Sequence, residues 1–154
     1  MIVDLVLWAH VMGACVLIGT GAGIAFFMLA SHLRGTPAEV AHVAGIVVLA
    51  DFVFTATAAV AQPVTGALLV WLRGWSWDAP WLAWSIGLYV AIGALWLPVV
   101  WIQMRMHRLA QAAAGAGAPL PSAYRRLFRI WCACGVPAFA MIAVLLWLML
   151  TKPG

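Results

Sequence analysis

Four long apolar stretches, at about 3–30, 45–72, 81–104 and 127–150, decide what this 154-residue chain can become. Each exceeds the roughly 20 residues that a helix needs to cross a bilayer. Short connections between them favour up-down-up-down packing. The expected fold is an all-α membrane protein, a four-transmembrane-helix antiparallel bundle forming a single transmembrane domain over residues 1–154. Composition agrees: 67% of the residues are hydrophobic and 8% charged, against about 25% charged in soluble domains. Mean hydropathy is +1.09. No length remains for a separate soluble domain. The first stretch is not a good signal peptide, because it lacks a basic leader, is too long, and carries Asp4 at its start.

Lys and Arg set the expected orientation, since cytoplasmic loops of membrane proteins are enriched in them. Loops 31–44 and 105–126, with the adjoining helix end, carry Arg34, Arg105, Arg108, Arg125, Arg126 and Arg129, whereas the other side carries only Arg73 and Lys152. Both loops are therefore expected in the cytoplasm and both termini outside, with the chain multi-pass. The net charge of +4 then reads as a topology signal and a contact with the anionic leaflet, not as a nucleic-acid footprint. Trp8, Trp71, Trp75, Trp77, Trp81, Trp84 and Trp147 fall near the outer interface, as an aromatic belt does.

Local signals refine this layout. Thr36-Pro37-Ala38-Glu39 has the form of a capped helix start. Segment 109–123, rich in Ala, Gly and Pro, is expected to be a mobile loop. Pro63, Pro98 and Pro137 lie inside spans. Each removes one helix hydrogen bond and frees the carbonyl four residues earlier, which neighbouring helices or water must satisfy. Gly19 and Gly23 have the spacing that lets membrane helices approach closely. Cys15, Cys132 and Cys134 suit small buried hydrophobes better than disulfides.

Among His, Asp, Glu, Lys and Arg, only His10 and Asp51 lie deep in the spans. Such groups are expensive in lipid and normally face the bundle interior. His10 shares a helical face with Gly13, Ala14, Leu17 and Gly21. The second span carries a narrow polar stripe of Asp51, Thr55, Ala58, Gln62 and Thr65. In the third, Tyr89, Gly93, Trp96, Gln103 and His107 share a face. At ~1.5 Å rise per residue, Gln62 and Thr65 reach the level of His10, while Asp51 lies roughly 20 Å deeper near Gln103, Cys132 and Cys134. Two layers are thus expected. His10 is either a neutral imidazole bonded to Gln62, Thr65 or a freed carbonyl, or a cofactor ligand. Asp51 is either a structural group bonded to Gln103, Thr55 or Arg129, or a proton or ligand site.

Histidine in a small bundle is the usual axial ligand of heme b. A bis-His heme needs two histidines at one depth, and His10 has no such partner; His32, 22 residues on, is about 33 Å away along one helix. Interfacial His32 with His42 or His107 is the only bis-His pairing left. Zinc-type spacings are absent, and Cys132 and Cys134 are too close in sequence to share a helical face.

Leu7-Trp8-Ala9-His10-Val11-Met12-Gly13, Asp51-Phe52-Val53-Phe54-Thr55, Gln62-Pro63-Val64-Thr65-Gly66 and Trp96-Leu97-Pro98-Val99-Val100-Trp101-Ile102-Gln103 resemble a bacterial family of predicted integral membrane proteins, domain of unknown function 2269. The likeness covers nearly the whole chain and implies an architecture without an activity, in a bacterial inner membrane with both termini periplasmic. His10 early in the first span, with His32 at its end, is more distantly similar to HemJ-type protoporphyrinogen oxidases and CopD-like membrane proteins. That likeness implies a heme-binding bundle with oxidoreductase chemistry. The leading expectation is therefore a redox membrane protein carrying heme b, with His10 as iron ligand, Gln62 and Thr65 fixing its ring, and Asp51, Thr55 and Gln103 forming an inner polar or proton site. A redox partner or a homodimer is expected beside the lipid bilayer. The alternatives are a non-catalytic accessory or assembly subunit and a small proton-coupled carrier.

Overall fold

In the computed structural model, which describes residues 1–152, helix formation overruns the apolar stretches. The four helices are α1 (Ile2–Arg34), α2 (Pro37–Arg73), α3 (Pro80–Gly115) and α4 (Ser122–Thr151), each long and apolar enough to cross a membrane. They form an all-helical antiparallel bundle, and no strand occurs among the described residues. The last two residues of the expected 1–154 domain lie outside the described ones.

The expected loops shrink. Loop 31–44 becomes a two-residue connection at 35–36, and loop 105–126 becomes 116–121, because α3 continues to Gly115. The mobile segment expected at 109–123 is thus helical over half its length. The physical reason is helix length: a 33-residue helix spans about 50 Å, well beyond the ~30 Å hydrocarbon layer. The overhang packs against itself. The sharp corner at 35–36 is fixed by the expected cap. Thr36 Oγ1 accepts from the Glu39 backbone N–H at 3.3 Å, and the Glu39 carboxylate accepts from the Thr36 N–H at 2.6 Å.

Burial concentrates at the end that carries the Arg-rich connections. There Ile24, Met28, Val40, Val47, Met106 and Tyr124, with their neighbours, bring all four helices into one apolar core. His32 closes α1 against α4 by stacking on Phe128, with ring centroids 3.7 Å apart and planes 11° apart. Residues 37–50 of α2 make its close contact with α3, residues 56–73 of α2 pack on α1, and α3 packs along α4. Residues 2–23 of α1 and 132–151 of α4 include no buried position. A smaller cluster of Val70, Trp81 and Leu82 ties α2 to α3 toward the termini. Lys152 Nζ lies 4.1 Å from the centre of the Trp75 ring, within cation–π range.

The backbone of α2 departs from a plain α-helix at two places. Residues Asp51–Thr55 form a single π-helical turn, closed by the Ala56 N–H on the Asp51 carbonyl. Thr57 Oγ1 donates to the Val53 carbonyl at 2.6 Å, supporting the widened turn. About two turns beyond, Pro63 leaves the Ala59 carbonyl without its helix donor, and the Tyr89 hydroxyl of α3 donates to that same carbonyl. The Gly19 and Gly23 expectation meets a different outcome: no other helix comes near Gly19, and only Phe27 of α1 itself approaches Gly23. The close approach of α1 and α2 is made instead at Gly13, where a Cβ would collide with Gln62 Nε2, and at Gly66, where a Cβ would lie 3.4 Å from the His10 ring. Cys15 is exposed rather than buried, and Cys132 and Cys134 are half-buried free thiols.

Candidate functional site

The α1–α2 contact assembles the outer layer from His10, Gln62 and Thr65. Because Gly13 and Gly66 carry no side chain at the contact, the two helices come close enough for direct hydrogen bonds. His10 Nδ1 lies 2.8 Å from Thr65 Oγ1. The Thr65 hydroxyl in turn donates to the Ala61 carbonyl at 2.8 Å. With its one proton committed there, Thr65 Oγ1 accepts from His10 Nδ1–H. This selects one tautomer and leaves the Nε2 lone pair free. Gln62 acts differently from the expectation. Its Nε2 donates to the backbone carbonyl of His10 at 2.8 Å, so it holds the α1 segment and not the imidazole.

The inner layer centres on Asp51, which is 3% exposed. Asp51 Oδ1 accepts from Trp96 Nε1 at 3.3 Å. Arg129 is exposed on α4, so the Arg129 pairing considered from sequence is not formed; Trp96 is the donor. Thr55, Trp96 and Gln103 are the side chains around the carboxyl. Asp51 Oδ2, Thr55 Oγ1 and Gln103 Oε1 are all buried and make no hydrogen bond. Gln103 is 2% exposed. Thr55, Gln103 and Trp96 each carry a donor, yet only the Trp96 indole is bonded to the carboxyl, and Asp51 Oδ2 is left unpaired.

The two layers are separate, as the sequence suggests. Thr65 and Gln62 touch His10, and Asp51 lies 14 and 11 residues back along α2, or roughly 16–21 Å. The expected α3 face is also formed. Tyr89, Trp96 and His107 each reach α2, His107 through Nδ1, which donates to the Ala41 carbonyl at 2.9 Å. His32 is held against α4 by Phe128 and Tyr124, whereas His42 and His107 line a groove between α2 and α3. The bis-His pairing of His32 with either of them has no support in this geometry. Among the described residues no group of three or more His, Cys, Asp or Glu side chains comes together.

Two contacts of these layers are not foreseen from the sequence. Trp96 as the Asp51 donor had a signal, because it shares its face with Gln103. Tyr89 as the partner of Ala59 had one too, because Pro63 frees that carbonyl and a donor on the facing helix is needed. No curated protein and no solved structure matches the chain. A family model does, over residues 4–153, and its description agrees with the four spanning helices. The chain belongs to the family of predicted integral membrane proteins DUF2269.

Proposed function

We propose that this protein handles protons across the bacterial inner membrane as a small proton-coupled carrier. In this reading it is one transmembrane domain, both termini are periplasmic, and Asp51 is the proton-binding residue. The observation that carries the reading is the buried, unpaired Oδ2 of Asp51. Asp51 Oδ2 and Gln103 Oε1 are both buried and without a hydrogen-bond partner. A proton on Oδ2 turns that oxygen into a donor toward Gln103 or Thr55, while Oδ1 keeps the Trp96 indole. The site thus gains a hydrogen bond when it loads a proton and is left with unpaired buried acceptors when it unloads, a cost of about 1–3 kcal/mol per group. The π turn at Asp51–Thr55 places this exchange where the helix backbone is already irregular, as π turns at functional sites commonly are.

Infrared difference spectroscopy tests it. A protonated carboxyl C=O band, shifting in heavy water and lost in Asp51→Asn, is expected, together with loss of proton flux from liposomes holding that variant. Wild-type protein without such a band, or with flux indifferent to Asp51→Asn, overturns the assignment.

A second reading, a heme b redox protein, is favoured by the His10 geometry. The donor chemistry fits one axial ligand: Thr65 holds the Nδ1–H tautomer, and a metal-binding imidazole normally has its other nitrogen fixed in this way. His10 would be the iron ligand, Thr65 would keep its lone pair available, and Gln62 would keep the α1 backbone in place. Heme bound there would supply one-electron chemistry. A Soret band in protein produced with heme supply, lost in His10→Ala, supports this reading. Its absence after both expression and reconstitution removes it.

A further inference from the structure

Between α2 and α3 at the Arg-rich end lies a groove of about 340 Å³ that neither layer uses, lined by His42, Gly45, Ile46, Leu49, His107 and Gln111 among others. Its walls follow from helical spacing. His42, Gly45, Ile46 and Leu49 fall at offsets of 0, 3, 4 and 7 on one face of α2, and His107 and Gln111 are one turn apart on α3. Gly45 is required for it, because a Cβ there would lie 2.9 Å from His107 Cε1.

The groove has a polarity gradient. His42 and Gln111 mark its end toward the helix overhang. Ile46 and Leu49, 53% and 62% exposed, open its other end to lipid, about 10 Å along the axis from His42. Its polar chemistry is specific. The Ala41 carbonyl can only accept, so His107 carries its proton on Nδ1 and Nε2 offers a lone pair. No Lys, Arg, Asp or Glu lines the groove, which disfavours a phosphate or carboxylate head. The volume is near the lower limit of ligand pockets, about 300 Å³. It suits one substituted ring and not a porphyrin.

We propose that this groove binds the neutral aromatic head of a membrane quinol. A ring hydroxyl donates to His107 Nε2, Gln111 and His42 bracket the head, and the apolar tail runs over Ile46 and Leu49. Binding is the whole of the proposal, and it does not depend on proton exchange at Asp51 or on heme at His10.

The test is equilibrium binding of a short-chain benzoquinol, and of its quinone, to the full chain in phosphatidylcholine nanodiscs under anaerobic conditions. One saturable site per chain is expected, with quinol bound more tightly than quinone. His107→Phe keeps a ring but removes the acceptor, and should weaken quinol about tenfold, the worth of one hydrogen bond. Ile46→Trp, which fills the groove from its lipid-exposed wall and leaves the core alone, should abolish binding. Binding that persists in Asp51→Asn separates this site from the proton reading. Non-saturable uptake, quinone bound as well as quinol, or indifference to Ile46→Trp overturns the proposal. So does a phospholipid that occupies the groove and excludes quinol.

Discussion

The Pro63–Ala59–Tyr89 arrangement makes a prediction whose size depends on the background in which it is measured. Pro63 has no N–H to give the Ala59 carbonyl, and the Tyr89 hydroxyl supplies the missing donor from α3. Tyr89→Phe deletes only that hydroxyl. An unsatisfied backbone carbonyl in hydrocarbon costs several kcal/mol in principle, but interhelical hydrogen bonds in membrane proteins measure about 0.6 and at most about 1.7 kcal/mol. Tyr89 is only half-buried, so the measured range wins and about 1 kcal/mol is expected. In a chain of this length that is roughly 2–4 °C in Tm. The exposed Pro63→Ala returns an N–H to the helix and gives the Ala59 carbonyl a second donor. Tyr89→Phe in that background should then cost less than about 0.5 kcal/mol. Thermal unfolding of the four proteins of the cycle in one detergent measures the coupling. Equal costs of Tyr89→Phe in the two backgrounds would refute the idea that the tyrosine exists to serve the proline.

Other outcomes concern the two layers and the glycines of α1. Asp51→Asn keeps the acceptor for Trp96 and adds a donor toward Gln103, so its stability at neutral pH should stay within about 1 kcal/mol of wild type; a loss of about 3–5 kcal/mol, the signature of breaking a buried charge pair, would contradict a neutral acid there. Asp51→Leu, which strands the Trp96 indole, should cost about 1–3 kcal/mol in the same unfolding assay. Thr65→Val removes the acceptor for His10 Nδ1–H and should mix the imidazole tautomers, read by ¹⁵N NMR; an unchanged spectrum would show that Thr65 does not set them. Gly19→Ala, with open space around it, should gain up to about 1 kcal/mol of helix propensity, whereas Gly13→Ala must displace Gln62 and should gain nothing, a difference visible in paired melting curves.

Much of this arrangement was legible because the bilayer imposes simple rules. Lengths of apolar sequence fix the four spans, and the 3.6-residue period places Gln62 and Thr65 opposite His10 without any knowledge of contacts. The helix ends lie beyond the apolar runs for a reason of the same kind: Arg-bearing segments look like loops, yet Arg34, Arg105 and Arg108 all lie in helices. An exposed arginine is a good helix former, and the overhanging turns have an apolar face to bury. The Gly19–Gly23 spacing is compatible with close packing but cannot say which glycine meets a neighbour; Gly13 and Gly66 do so because Gln62 and His10 lie across from them. Asp51 was visible as a buried acid, but its Trp96 partner depends on the register of α2 against α3, which no single-helix pattern encodes. The π turn was hidden altogether, since a widened turn changes no residue type and leaves the spacing of the polar stripe along the chain as it was.

The wide turn also governs how the chain tolerates changes of length. A π turn closes i→i+5 and so holds one residue more than the α turn it replaces. Deleting one residue from 52–54 should therefore let the segment relax to plain α-helix while the two flanking halves of α2 keep their mutual rotation. A deletion elsewhere in α2 has no such slack, and each lost residue turns one half against the other by about 100°. Removing Val60, for example, would swing Gln62 and Thr65 off α1 if the half of α2 that carries Asp51 keeps its place on α3. The five residues Asp51–Thr55 are thus the one stretch of α2 where a residue can be taken out without re-phasing the His10 layer against the Asp51 layer.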